Sequence, residues 1–213
     1  MSYFRIIGIF LVYLFYVFVS YADDQIDNKD AHFAVKKQKY VLLIEPRGMR
    51  SAVSMIIPGA RNTVYSAGYE SSLGVSHYKA EEFRRIFKSD WKQFRERALK
   101  DSAKHLKRLK PVMVRNSDNI IEYGLIQSED PLTASTILLP QFREKFKDVF
   151  GSELLVLVPN RSTILVFSDS DNNLNQYKET VIKMYKDSIY PVSREIFRLN
   201  GTGIRVIGDY IGK

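Results

Sequence analysis

The sequence predicts an α+β fold: a single domain with a largely antiparallel sheet and about three helices packed on one face. Three observations carry that expectation. Short apolar runs rich in Val, Ile and Leu are closed by Pro–Gly turns. Apolar residues recur at three- and four-residue steps in three longer stretches. The two patterns alternate as strands, helix, two strands, helix, two strands, helix, strand. With 213 residues, 45% of them hydrophobic and 26% charged, the composition excludes a disordered, collagen-like or many-span membrane chain.

Residues 23–39 are polar and read as a flexible leader, and the domain is expected over 40–213. Residues 40–45 (YVLLIE) form a strand ended by Pro46-Arg47-Gly48, and 52–57 (AVSMII) a second, stopped by Pro58-Gly59. The Gly- and Ser-rich stretch 62–76 reads as loop with room for one strand. A long helix is predicted over 80–109. Its stripe is Phe83, Phe87, Trp91, Phe94, Ala98, Leu106 and Leu109, and Pro111 stops it. Residues 112–114 and 120–126 follow as strands around the turn Asn116-Ser117-Asp118-Asn119. A helix over 140–150 takes Pro140 at its first position and Gly151 just past its end. It turns Leu139, Phe142, Phe146 and Val149 or Phe150 inward. Residues 154–158 and 164–167 make a hairpin. Residues 169–173 can cap a helix over 174–188 with Leu174, Tyr177, Val181, Tyr185 and Ile189 inward, and 204–207 is a last strand.

The segment 137–198 reads ILLPQFREKFKDVFG, then ELLVLVPNRSTILVF, then a polar turn, a helix and YPVSREIFR. It resembles the C-terminal half of the YtpQ-like bacterial proteins. The shared features are the leucine–proline helix start, the V-P-x-R hairpin and the P-x-S segment before a final strand. The resemblance implies an α+β fold and no assigned activity.

The N-terminus reads as an export signal. Arg5 precedes fourteen uncharged residues, 6–19 (IIGIFLVYLFYVFV), and Ser20-Tyr21-Ala22 place small residues for a signal peptidase. Cleavage after Ala22 sends the domain to the periplasm or outside the cell. The alternative is an uncleaved membrane anchor over residues 6–21, with Tyr13, Phe15, Tyr16 and Phe18 at the interface. The run is short for a membrane-crossing helix, which takes about 20 apolar residues.

Lys plus Arg is 32 and Asp plus Glu is 24, a net charge of +8. Twelve basic and five acidic residues fall between Lys79 and Lys110, so that stretch alone carries +7. The predicted helix thus shows a basic face that includes Arg84, Lys88, Lys92 and Arg95, with Glu81–Arg85 and Glu96–Lys100 at ion-pair spacing. Arg161, at a hairpin tip, is a further candidate for an anion or an acidic partner. The expected partners are an anionic membrane surface, an acidic envelope polymer or an acidic protein; nucleic acid is not expected of an exported chain.

No cysteine is present, which removes disulfides, thiol catalysis and zinc–thiolate sites. Neither a phosphate loop nor a dinucleotide fingerprint occurs, and no metal or cofactor is expected. Asp169-Ser170-Asp171-Asn172-Asn173 opens like a calcium loop, but Leu174 and Thr180 stand where Gly and Glu are needed. The expectation is therefore a non-enzymatic binding protein. The alternative is an envelope hydrolase with a site around Ser76, His77, Lys79 and Glu122, suggested by the S-x-x-K spacing of Ser76 and Lys79.

Sequencing of the exported protein should begin at Asp23. An intact Met1 in the membrane fraction would make the segment an anchor instead.

Overall fold

The computed structural model describes residues 39–49, 51–170 and 174–210, so the export segment lies outside the described residues, as does the leader up to residue 38. In β1 (Lys39–Pro46), Tyr40, Leu42 and Ile44 point to one face and Val41, Leu43 and Glu45 to the other, as a period of two requires. β1 pairs along its whole length with β3 (Thr63–Ser71). β2 (Ser54–Ile56) and β4 (Gly74–His77) share the other edge of β3.

The stretch expected to be mostly loop is therefore the centre of a sheet. Its small residues reflect packing. A Cβ on Gly68 would stand 2.8 Å from the Ser76 carbonyl oxygen and 3.0 Å from Leu43 Cδ1, so only glycine lets β4 approach β3 there. The open edge of β1 is closed by side chains. Tyr40 N donates to Asp101 Oδ2 at 2.9 Å and Ile44 N to Ser135 Oγ at 3.3 Å.

The long helix is two: α1 (Ala80–Phe87) and α2 (Trp91–Arg108). Lys88 and Ser89 take left-handed backbone angles, φ 51° and 66°, which a continuous helix cannot contain. Asp90 restarts the chain by accepting from Gln93 N at 2.9 Å. Asp90-x-x-Gln93 is a capping-box pattern legible in the sequence. The apolar stripe survives the break. Phe83, Phe87 and Phe94 meet with ring centroids 5.1–5.3 Å apart and close around Tyr78 and Tyr40. Trp91 is only half-buried, its ring 5.4 Å from Phe83 and 5.7 Å from Phe94.

The second sheet has β5 (Val112–Arg115), β6 (Ile121–Gln127), β7 (Leu154–Asn160), β8 (Thr163–Ser168), β9 (Glu195–Asn200) and β10 (Gly203–Asp209). Its order is β10-β9-β7-β8-β6-β5, antiparallel throughout. Val206 N donates to the Pro58 carbonyl at 2.8 Å and ties the two sheets together. β9 is implied only by the resemblance; its own residues hide the strand because Glu195 occupies the first inward position of a strict in–out alternation.

α3 (Pro140–Phe150) follows a 3₁₀ turn, Ala134–Leu138. It buries Phe142, Phe146 and Phe150, whereas Val149 is exposed. α1, α2 and α3 join the first sheet and one face of the second in a single core containing Leu154, Val156, Ile164, Val166 and Phe197. The α+β antiparallel expectation holds, but the strands form two sheets, and of the three expected helices only the first, now split, and the second share one face. The last helix, α4 (Lys178–Lys186), is shorter than expected and covers the opposite face with Leu155, Leu157, Leu165, Phe167 and Val181. Ile189, expected inward, is 85% exposed. Asp169 accepts from Arg198 Nε at 2.8 Å instead of capping a helix; residues 171–173 lie outside the described residues.

Phe94→Ala should cost about 3–5 kcal/mol in denaturant unfolding, as for a fully buried aromatic. Trp91→Ala should cost distinctly less, and equal losses would contradict the register of α2.

Candidate functional site

The basic residues of α1 and α2 are held outward by the apolar side of each helix. Arg84, Lys88, Lys92 and Arg95 are all exposed, and none makes an ion pair among the described residues. The pairs expected for Glu81–Arg85 and Glu96–Lys100 do not form. Because Lys88 and Ser89 break the helix, Arg84 and Lys92 do not share a straight helical face; the cations flank a corner. Arg97 lies over the Phe87 ring at 5.8 Å.

Toward the C-terminal end of α2, Lys104 Nζ pairs with Glu70 Oε2 at 2.7 Å. Lys39 stands opposite Glu70 in the β1–β3 register. The Lys104 ammonium beside Lys39 pushes the Lys39 amine below its ordinary pKa, and Arg108 adds to the push. Lys39 and Lys104 therefore share the Glu70 carboxylate, with Asp101 bonded to the neighbouring Tyr40 N.

Arg95 also lines a groove of about 480 Å³ between the start of α3 and the β9–β10 turn, with Gln141, Arg143, Asn200 and Thr202. Arg143 is already engaged, donating to Glu144 Oε1 at 2.8 Å and to the Ser152 carbonyl at 3.3 Å. Arg95 is the free cation of that wall.

Arg161 joins a different set. Its guanidinium sits 5.0 Å from the Tyr190 ring centroid, and its backbone N–H and carbonyl bond Tyr190 and Ala134. Its charge acts on Glu45. Glu45 is only 3% exposed at the end of β1, and its Oε2 lies 2.8 Å from His77 Nε2 on β4. Burial alone would push this carboxyl up. The His77 hydrogen bond, the nearby Ser66 hydroxyl and the charges of His77 and Arg161 outweigh burial and hold it below the usual glutamate range. Three chain-distant segments thus meet at one carboxylate. The signal for it was a Glu in phase with Val41 and Leu43 on a strand.

The expected hydrolase site does not assemble. Ser76 and His77 are consecutive strand residues and point to opposite faces. Lys79 precedes α1, so the S-x-x-K spacing is not helical. His77 takes Glu45, not Glu122, as its partner. Glu122 sits at a register shift between β5 and β6 and accepts from the Tyr177 hydroxyl at 3.4 Å. Ser66 Oγ makes no hydrogen bond to the imidazole, so no serine–histidine–carboxylate order arises. The Glu45–His77 bond joins β1 to β4 across β3, with the His77 side chain 36% exposed.

Sequence reasoning missed His105. It is 3% exposed on α2, with Nδ1 2.6 Å from Asp130 Oδ2 and Nε2 3.9 Å from Glu70 Oε2, and it pins the helix to the loop after β6. Among the described residues no group of three or more His, Cys, Asp or Glu could hold a metal, and no helix is long and apolar enough to cross a membrane. The chain matches no protein-family model, no curated protein and no solved structure.

Glu45, ordinarily titrating at 4.5, is held lower in the fold, so its contribution to stability is present above pH 4.5 and lost as pH falls through the folded value. Urea unfolding of the parent should therefore weaken below that pH. Glu45→Gln should flatten this acid limb; a variant with the same acid slope would show that Glu45 is not the group responsible.

Proposed function

We propose that this is an exported, non-enzymatic binding protein, released by cleavage after Ala22, whose basic helix surface meets an anionic envelope component. One observation carries the reading. The cations of α1 and α2, Arg84, Lys88, Lys92 and Arg95 among them, stand in solvent without acidic partners, although Glu81 and Glu96 are close enough in sequence to supply them. Their fields add over the distances at which exposed charges still interact, about 8 Å at physiological ionic strength. Such a surface concentrates a polyanion and binds it in a salt-dependent way. Arg161 lies apart from it, its guanidinium stacked on the Tyr190 ring.

The test is a triple reversal, Lys88→Glu, Lys92→Glu and Arg95→Glu. All three positions are exposed, so the fold should survive. Retention on anionic envelope fractions should fall tenfold or more, since each Lys or Arg near an anionic leaflet contributes roughly 1 kcal/mol. The parent's retention should also fall steeply with salt. Equal retention of parent and triple variant at low salt would leave the charges as a solvated face and nothing more.

A further inference from the structure

The hairpin between β3 and β4 brings a second chemistry to the basic surface. Its turn is fixed: Ser71 Oγ donates to the Gly74 carbonyl at 3.1 Å and accepts from Leu73 N at 3.2 Å, while Gly74 takes φ +113°. Leu73 at the tip is 99% exposed, the barest of the large apolar side chains described. A leucine there contributes nothing to the core, and a serine or asparagine would make the same turn.

The base of this hairpin is ringed by cations. Glu70, the residue before Ser71, pairs with Lys104 at 2.7 Å. Lys39 faces Glu70 across the β1–β3 ladder, and the charge of Arg108 reaches both lysines. Asp101 accepts from Tyr40 N and keeps its negative charge beside this group, and Asp130 bonds His105 on the same helix. α2 spans 18 residues, and this ring lies at the opposite end from Lys92 and Arg95, roughly 13–24 Å along the axis.

An apolar tip inside a collar of Lys and Arg matches a bilayer surface. Head-group phosphates take the cations, and the leucine passes between them to the acyl boundary. A hydrophilic polyanion uses the cations but offers the leucine nothing. We infer that Leu73, with Lys39, Lys104 and Arg108 around its base, docks this protein on an anionic phospholipid bilayer. The inference rests on the anionic-surface reading above, names its partner and adds a second contact at the other end of α2.

The test uses the chain as recovered after export, so that every variant shares the same N-terminus. The probes are vesicles of equal parts phosphatidylglycerol and phosphatidylcholine, vesicles of phosphatidylcholine alone, and polyphosphate. The parent should bind the mixed vesicles and not the neutral ones. Leu73→Ser should bind about tenfold more weakly, as expected for losing one buried leucine side chain. Leu73→Trp should bind as the parent does, with its emission moving to the blue on the mixed vesicles. Lys39→Glu with Arg108→Glu should weaken binding at low salt. Leu73→Ser binding as tightly as the parent, with no emission shift in Leu73→Trp, overturns the inference. If the triple reversal at Lys88, Lys92 and Arg95 nevertheless weakens binding, the broader reading survives that result. Binding to polyphosphate but not to mixed vesicles also overturns the bilayer assignment while keeping a polyanion as partner. Binding to neither at low salt removes both.

Discussion

The hairpin β7–β8 is buried on both faces, and the rest of the fold follows from that. Leu154, Val156 and Val158 point to one side and Leu155 and Leu157 to the other, with Ile164 and Val166 against Leu165 and Phe167 in the partner strand. A hairpin apolar on both faces cannot sit at a surface, so each face needs a cover. The first sheet and α1–α3 close one side with a cluster of phenylalanines. α4 and the 3₁₀ turn Leu174–Tyr177 close the other with far fewer residues, and Tyr210 helps by donating from its hydroxyl to the Leu174 carbonyl at 2.5 Å. The unequal covers account for the unequal helices: a stripe spread over 18 residues in α2, and nine residues with one fully buried side chain, Val181, in α4.

Charge is sorted by the same geometry. Outside Lys79–Lys110 and the export segment the formal charges cancel, yet several acids are taken up in the interior or on the backbone. Glu195 is buried and accepts from Arg61 N and Asn62 N at 2.7 and 3.1 Å, fixing the turn into β3. Asp90 caps α2, Asp101 closes the edge of β1, Asp130 holds His105 and the turn at Leu132, and Glu45 holds His77. Acids accept hydrogen bonds from backbone N–H groups and so find structural work that lysine, a pure donor, cannot do at those places. The bases are left outside.

Elements whose signals are local were legible. Pro140 and Gly151 bracket α3 at the expected positions, and Asn116 Oδ1 accepts from Asp118 N and Ile120 N to make the expected turn. Elements set by tertiary contact were not. β3 looks like a loop because its glycine answers to the Ser76 backbone and Leu43, residues that only the folded chain brings near. β9 hides behind a buried Glu195 whose backbone donors lie more than 130 residues away. The break in the long helix was legible in Asp90-x-x-Gln93 but was masked by an apolar stripe that continues across it. Of the candidate site, exposure of the helix cations could be read from periodicity. The meeting of Glu45, His77 and Arg161 could not, since it depends on how the two sheets are joined.

Stability does not account for the cations at the Lys39 end of α2. An exposed ion pair contributes 0–1 kcal/mol at best, so the missing Glu–Arg and Glu–Lys pairs cost the fold little, and their presence would have helped it little. The fold needs a partner for Glu70, and Lys104 is one. It does not need Lys39 beside Lys104, whose ammonium lowers the Lys39 pKa, nor Arg108 one turn further on. Glutamine at either place would keep the helix and the strand and remove the repulsion. The same holds for Leu73, which a polar turn residue would replace with gain in solubility. A cluster of cations and a bare leucine thus stand within a few residues of one hairpin, and the core gains from neither.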